Sequence, residues 1–189
     1  MSGYWAGILS ILAINIIFAY GIFIPVASGQ LNLGGAGFQA VGAYSAGWLS
    51  ASFGLPVSVT IAFGVIVTGV IGVLIAFPIL RTKGVYLVLA TFAEVIAGAI
   101  LSSEPLGGAM GISVPGYIDW YVSVIFAGLV TVFVFYLMAT RFGLTIRAIH
   151  DDEDVSDLMG VSVRNVKVAA FGIGAALTGL SGGLYAHSF

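Results

Sequence analysis

The 189 residues are 60% hydrophobic and 7% charged, with 6 basic and 8 acidic side chains, a net charge of −2 and no cysteine. So few charges cannot cover a water-soluble domain, where roughly 25% is usual. The faint negative balance suits no nucleic acid, and disulfides and thiolate metal sites are excluded. A mean hydropathy of +1.14 makes lipid the solvent for most of the chain. The 27 glycines, about twice the usual share, would each cost a soluble helix about 1 kcal/mol against Ala. Between membrane helices small residues permit close approach, which offsets that cost.

Six apolar stretches follow in chain order: Gly3–Pro25, Leu33–Ser52, Pro56–Leu80, Gly84–Leu101, Trp120–Ala139 and Val168–His187. Most reach the ~20 residues that a bilayer core requires. The first has no basic leader and no cleavage site, so it reads as a retained span. The second opens with Gly34-Gly35-Ala36-Gly37 and contains Gln39. It fits a full span or a broken, partly re-entrant segment packed inside protein.

The fourth stretch holds Glu94, about 15 Å beyond Gly84 and near the bilayer midplane. A carboxyl at that depth either faces a solute path, where it would meet an ammonium, or locks two spans as a hydrogen-bonded group. Asn15, Gln30, Asn32 and Gln39, in or beside the first two spans, leave the same two roles open. In the last stretch Ala175, Gly179 and Gly183 form a small-xxx-small seam for helix packing. Gly179-Leu180-Ser181-Gly182 matches an intramembrane serine protease motif, but a nucleophilic Ser needs a His within reach. His187 lies about 240° around the same helix from Ser181, and His150 falls in a loop across the bilayer.

All six basic residues agree on orientation. Arg81 and Lys83 sit between spans three and four, and Arg141, Arg147, Arg164 and Lys167 between spans five and six. The loop Ser102–Asp119 has none, and its Gly107–Pro115 portion has irregular turn chemistry. The positive-inside rule makes the first two places cytoplasmic and the N-terminus and His187 external. Trp5, Trp48, Tyr117, Trp120 and Tyr121 then form an external aromatic belt.

The loop over 140–167 differs from the rest. Five of the seven residues from Asp151 to Asp157 are acidic, and Val155, Leu158 and Met159 recur at i, i+3 and i+4. With Asp151 or Asp152 as cap and Gly160 as stop, the spacing predicts a short amphipathic helix over 151–160. Two uses are open for it, a solvated connector resting on headgroups or a dock for a partner protein. Interfacial helices usually carry Lys and Arg, so the acids favour a protein partner.

Asp154-Val155-Ser156, three residues, then Gly160 resembles the Glu-Ala-Ala-xxx-Gly signature of ABC-importer permeases, with the first three residues substituted and the spacing kept. Gly29-Gln30-Leu31-Asn32-Leu33-Gly34 with Gly42-Ala43-Tyr44, the run Leu80–Leu87 with Thr91-Phe92 and Glu94-Val95-Ile96, and Arg141–Gly143 through Gly182–His187 resemble successive blocks of the LivM-type branched-chain amino-acid permeases. These blocks come in family order across nearly the whole chain. Where that family usually shows a His after Leu-Gly, this chain has Gly35.

The resemblance implies an all-α, polytopic transmembrane helix bundle of about six spans, with one permease domain over 1–189. It implies that Asp151, Asp152, Glu153, Asp154, Val155, Leu158, Met159 and Gly160 form a coupling helix that docks on separate ATPase subunits. It also implies a homologous second permease, an external solute-binding protein, a place in the inner membrane, and further spans beyond Phe189, the chain being partial. There is no Gly-x-x-x-x-Gly-Lys-Ser/Thr loop, so any ATP is expected on the partner and no cofactor or metal on this chain. Glu94, Asn32 and Gln39 are the candidates for a solute path, and no enzymatic activity is expected. The competing class is a stand-alone secondary transporter or channel for a small polar solute. It needs no docking helix and usually shows several intramembrane charges, whereas only Glu94 lies deep here.

Overall fold

The computed structural model describes residues 3–30, 32, 34–79 and 118–188. The predicted fourth span Gly84–Leu101, with Glu94, Arg81, Lys83 and most of the loop before Asp119, lies outside them. The described residues form helices α1 (Gly3–Ala27), α2 (Gly35–Phe53), α3 (Val57–Ile79), α4 (Trp120–Ala139), α5 (Arg141–Asp151), α6 (Glu153–Leu158) and α7 (Val163–Ser188), and no strand. Of these, α1, α3, α4 and α7 are long and apolar enough to cross a membrane. The chain is a polytopic helical bundle, as its composition requires.

The core is built around α7. In its most apolar stretch 72% of residues are buried, against 28–33% in α1, α3 and α4. It packs on α1, α2 and α3 at once, while α4 packs chiefly on α1. Lipid tails are as apolar as any side chain, so close packing rather than hydrophobic burial draws membrane helices together. Along α3 the small-residue seam meets partners in reverse order: Ala175 faces Gly72, Gly179 faces Thr68, and Gly183 faces Ile61. On another side Gly174 receives Gly21 and Pro25 of α1, where an added Cβ would sit 2.5 Å from the Gly21 carbonyl oxygen. Pro25 has no N–H to offer that carbonyl. Gly182 lies against the backbone of Gln39 and Ala43 in α2, where a Cβ would overlap the Gln39 carbonyl.

Buried hydroxyls are satisfied within their own helices. Thr68 donates to the carbonyls of Gly64 and Val65, Thr178 to those of Gly174 and Ala175, and Ser181 to that of Thr178. Such back-bonding leaves the helix surfaces free to touch.

Contacts sort the ends of the bundle into two layers. At one, Gln30 between α1 and α2 bonds the Lys167 carbonyl, and Arg164 lies 5.1 Å from the ring centre of Phe77 near the end of α3. At the other, the Thr60 hydroxyl is 3.4 Å from His187 Nε2, and the Ile118 N–H donates to the His187 carbonyl at 2.8 Å. Arg141, Arg147, Arg164 and Lys167 all belong to the first layer.

Three boundaries differ from expectation. The final helix begins at Val163, not Val168, so Arg164 and Lys167 ride on its first turns instead of in a loop. The second segment is helical from Gly35 to Phe53, not from Leu33 to Ser52. Gly35 packs against Ile22 and Phe18, so α2 starts about 7 Å back inside the end of α1, at 1.5 Å per residue. Of the residues before it, Gln30 and Asn32 are non-helical and buried, each 2% exposed. The segment thus has an irregular entry packed in protein, as one of its two readings expects, followed by a continuous helix that is not among those long and apolar enough to cross a membrane. The third difference, in the loop 140–167, concerns the site below.

Gly182→Ala is expected to lower stability by about 1–3 kcal/mol, the usual cost of overpacking. Gly128→Ala on α4, where a Cβ meets nothing within 4 Å, is expected to cause no loss. Unfolding of the two variants in detergent or nanodiscs checks the contrast.

Candidate functional site

Two features of the described residues stand apart from lipid-facing packing. The first is the surface between α4 and α7. The sequence reading placed one helix over 151–160. The structure instead breaks at Asp152, so Asp151 closes the longer helix α5 and only Glu153–Leu158 form α6. Helix α5 was missed, although Phe142, Ile146 and Ile149 recur at helical spacing between Arg141 and His150. Gly143, Ile146 and Ile149 are its buried face. Gly143 lies directly on the backbone of Met138, which lets α5 fold back on the end of α4.

A six-residue helix has no stability of its own, so α6 depends on its ends. Asp152 is extended (φ −154°, ψ 108°) and its carboxylate accepts the Val155 N–H at 2.9 Å. Glu153 and Asp154 follow in the first turn, where carboxylates suit the helix dipole. Gly160 takes φ +85°, its N–H bonds the Asp157 carbonyl, and the Val161 N–H bonds that of Ser156. This is a Schellman stop, which favours glycine. Glu153 also forms an ion pair with Lys167 of α7.

What these ends hold in place is an uncovered apolar edge. Leu158 is 88% exposed and Met159 79%, with Val155 half-exposed beside them, and only Ser156 is buried. Asp151, Asp152, Asp154 and Asp157, close to that edge in sequence, are themselves exposed.

The second feature is a hollow of about 470 Å³ between α1, α2 and the end of α7. Ile11 and Ile14 line it on one side, Ala40 and Ala43 leave the space, and Asn15, Gln39 and Tyr185 bring polar groups to it. Of the residues named for a solute path, Gln39 lines this hollow and Asn15 joins it. Asn32 does not: it is buried, and its Oδ1 accepts the Gly34 N–H at 2.8 Å where α2 begins. Glu94 lies outside the described residues. Tyr185 was not singled out for this role. Its phenol sits one turn after Ser181, and only the approach of α1 and α2 shows which side it takes.

Ser181 and His187 do not pair. The Ser181 hydroxyl bonds Thr178, while His187 Nδ1 lies 2.9 Å from the Gly183 carbonyl and Nε2 faces Thr60. No three His, Cys, Asp or Glu residues converge on a metal position among the described residues.

A bundle of close-packed spans, a partly polar hollow among them and an exposed, doubly capped helix joining two of them make up the described part of this polytopic membrane protein. The chain belongs to the family described as the permease component of branched-chain amino acid transport systems, which it matches over residues 4–189. Over 95% of its length it is 30% identical to the high-affinity branched-chain amino acid transport system permease protein LivM of Escherichia coli strain K12. Identity and coverage are the same for the protein of that name from Salmonella typhimurium strain LT2. The chain spans 51% of the length of each. Both relatives are permease proteins, not enzymes. No solved structure matches.

Replacing Asp152 with Ala removes the cap of α6 and is expected to cost that helix about 1 kcal/mol, whereas Asn, an equally good cap, should preserve it. Amide hydrogen exchange at Val155–Leu158 reads the difference directly. Faster exchange is expected in Asp152→Ala alone.

Proposed function

We propose that this chain is part of the permease subunit of an ATP-driven importer for branched-chain amino acids or a related small solute. Helix α6 is its dock on a separate ATPase subunit, which binds the ATP. A homologous second permease and an external solute-binding protein complete the assembly in the inner membrane. The observation that carries this reading is the exposed edge of Val155, Leu158 and Met159, held on a helix with no stability of its own. Apolar side chains close in sequence to carboxylates suit a protein groove with basic rims better than anionic lipid. Membership of a permease family supports the ATPase as the protein concerned.

Within this reading, the layer carrying Arg141, Arg147, Arg164 and Lys167 is cytoplasmic and the N-terminus external. The hollow lined by Asn15, Gln39 and Tyr185 lies along the solute path. Its apolar wall and uncharged polar groups suit a small amphipathic solute.

Two experiments test the proposal. The full natural protein is expected to co-purify with its ATPase subunit, and a Val155/Leu158/Met159→Asp variant to lose it while remaining folded. Equal binding by both would move the dock elsewhere. Solute movement in vesicles with no ATPase bound would establish the stand-alone transporter instead. For sidedness, the chain's lack of cysteine permits single reporters. An impermeant maleimide added to intact cells is expected to label Leu55→Cys but to reach Leu158→Cys only after permeabilisation.

A further inference from the structure

Gln30 is 2% exposed at the layer where α6 meets the bundle. The Gln30 and Gly29 N–H groups bond the carbonyls of Pro25 and Val26, and Gly29 takes φ +77°, a Schellman stop for α1 that aims the Gln30 side chain inward. Its amide nitrogen donates to the Ser28 hydroxyl at 2.6 Å and to the Lys167 carbonyl at 3.1 Å. Ser28 spends its own hydrogen on the Pro25 carbonyl at 2.8 Å, so both partners of the amide are acceptors and its orientation is determined. The amide oxygen is buried with no partner among the described residues. A residue serving only to fill space would avoid that cost, since methionine has nearly the same length and no polar atom to strand.

The residue that Gln30 grips is the one that grips α6. The Lys167 ammonium pairs with Glu153, while its carbonyl holds Gln30. From Gln30 the bonds run through Ser28 to Pro25 in the last turn of α1. The next residues lead through Asn32, which caps Gly34, into α2. Helices α1 and α2 carry Asn15 and Gln39, two of the three residues that bring polar groups to the hollow. A chain of bonds thus joins α6 to the end of α1, Asn32 and Gly34 of the same connector stand at the start of α2, and the chain passes through a single residue of α7.

We propose that Gln30 and Lys167 form a mechanical link by which displacement of α6 moves the α1–α2 connector, Gln30 being a positioning residue for transport. The proposal rests on the function given above for the direction of the signal but not for the link itself, so the two are tested apart.

The link is read on the full natural chain in nanodiscs, without ATPase, by hydrogen exchange. Lys167→Met is expected to speed exchange in both 153–158 and the connector at 29–34. Gln30→Met should leave the global melting temperature unchanged or higher, yet speed exchange in 153–158, by roughly fivefold or more in each case, the size of a direct coupling. The double variant should add little to either single one, because both break one link. Unchanged exchange at 153–158 in Gln30→Met, or fully additive effects, overturns the proposal. In the reconstituted transporter, Gln30→Met is expected to keep its ATPase bound and lower the solute moved per ATP. An unchanged ratio overturns the signalling role. Failure of the wild type to bind any ATPase, with exchange still coupled, overturns the function proposed above and leaves the link standing.

Discussion

Three helices must reach the backbone of α7 at once, and the rest of the structure follows from that requirement. In lipid there is little gain from hiding one apolar side chain behind another, so contact at backbone distance is what holds such a bundle together. Gly174 admits α1, Gly179 admits α3, and Gly182 admits α2. Each lies on a different side of one 26-residue helix. Side chains at these places would part the helices and open the interior to lipid. The high glycine content, costly for a soluble helix, is therefore the means of packing.

Close packing leaves no room for water, so polar groups inside must find partners in the chain itself. The hydroxyls of Thr68, Thr178 and Ser181 do so along their own helices. The irregular stretch before α2 uses side chains instead, with Asn32 bonding Gly34 and Gln30 reaching across to Lys167. A non-helical backbone can exist at that depth because protein surrounds it. The same stretch contacts the outer layer that carries α5 and α6 and continues into the helix that lines the hollow.

The outer layer follows different rules. Helix α5 buries Gly143, Ile146 and Ile149 against the bundle, whereas α6 buries almost nothing and persists through its two caps and the Glu153–Lys167 pair. An element held at its ends, with its apolar side chains outward, is the one proposed above as the dock for a partner subunit. The split also explains why α5 escaped notice in the sequence. Its apolar residues are spaced as a helix, but the dense acidic run after it drew the single predicted helix to 151–160, and Asp152 could as readily continue a helix as start one.

Composition alone determined that this chain lives in lipid, because no arrangement of so few charges could face water. The spans of α1, α3 and α4 were legible to within a few residues, since a uniformly apolar run of about 20 residues has no other stable form in a bilayer. The stop at Gly160 was legible too, and the cap was narrowed to Asp151 or Asp152, being local chemistry that depends on neighbours in sequence. What the tertiary structure decided was the role of residues whose partners are distant. That α7 is central, that Asn32 closes a turn while Gln39 lines a hollow, that Tyr185 belongs beside it, and that Gln30 meets Lys167 all depend on which faces come together. Local sequence cannot encode those meetings, because close packing depends on the shape of both surfaces and the sequence presents only one at a time.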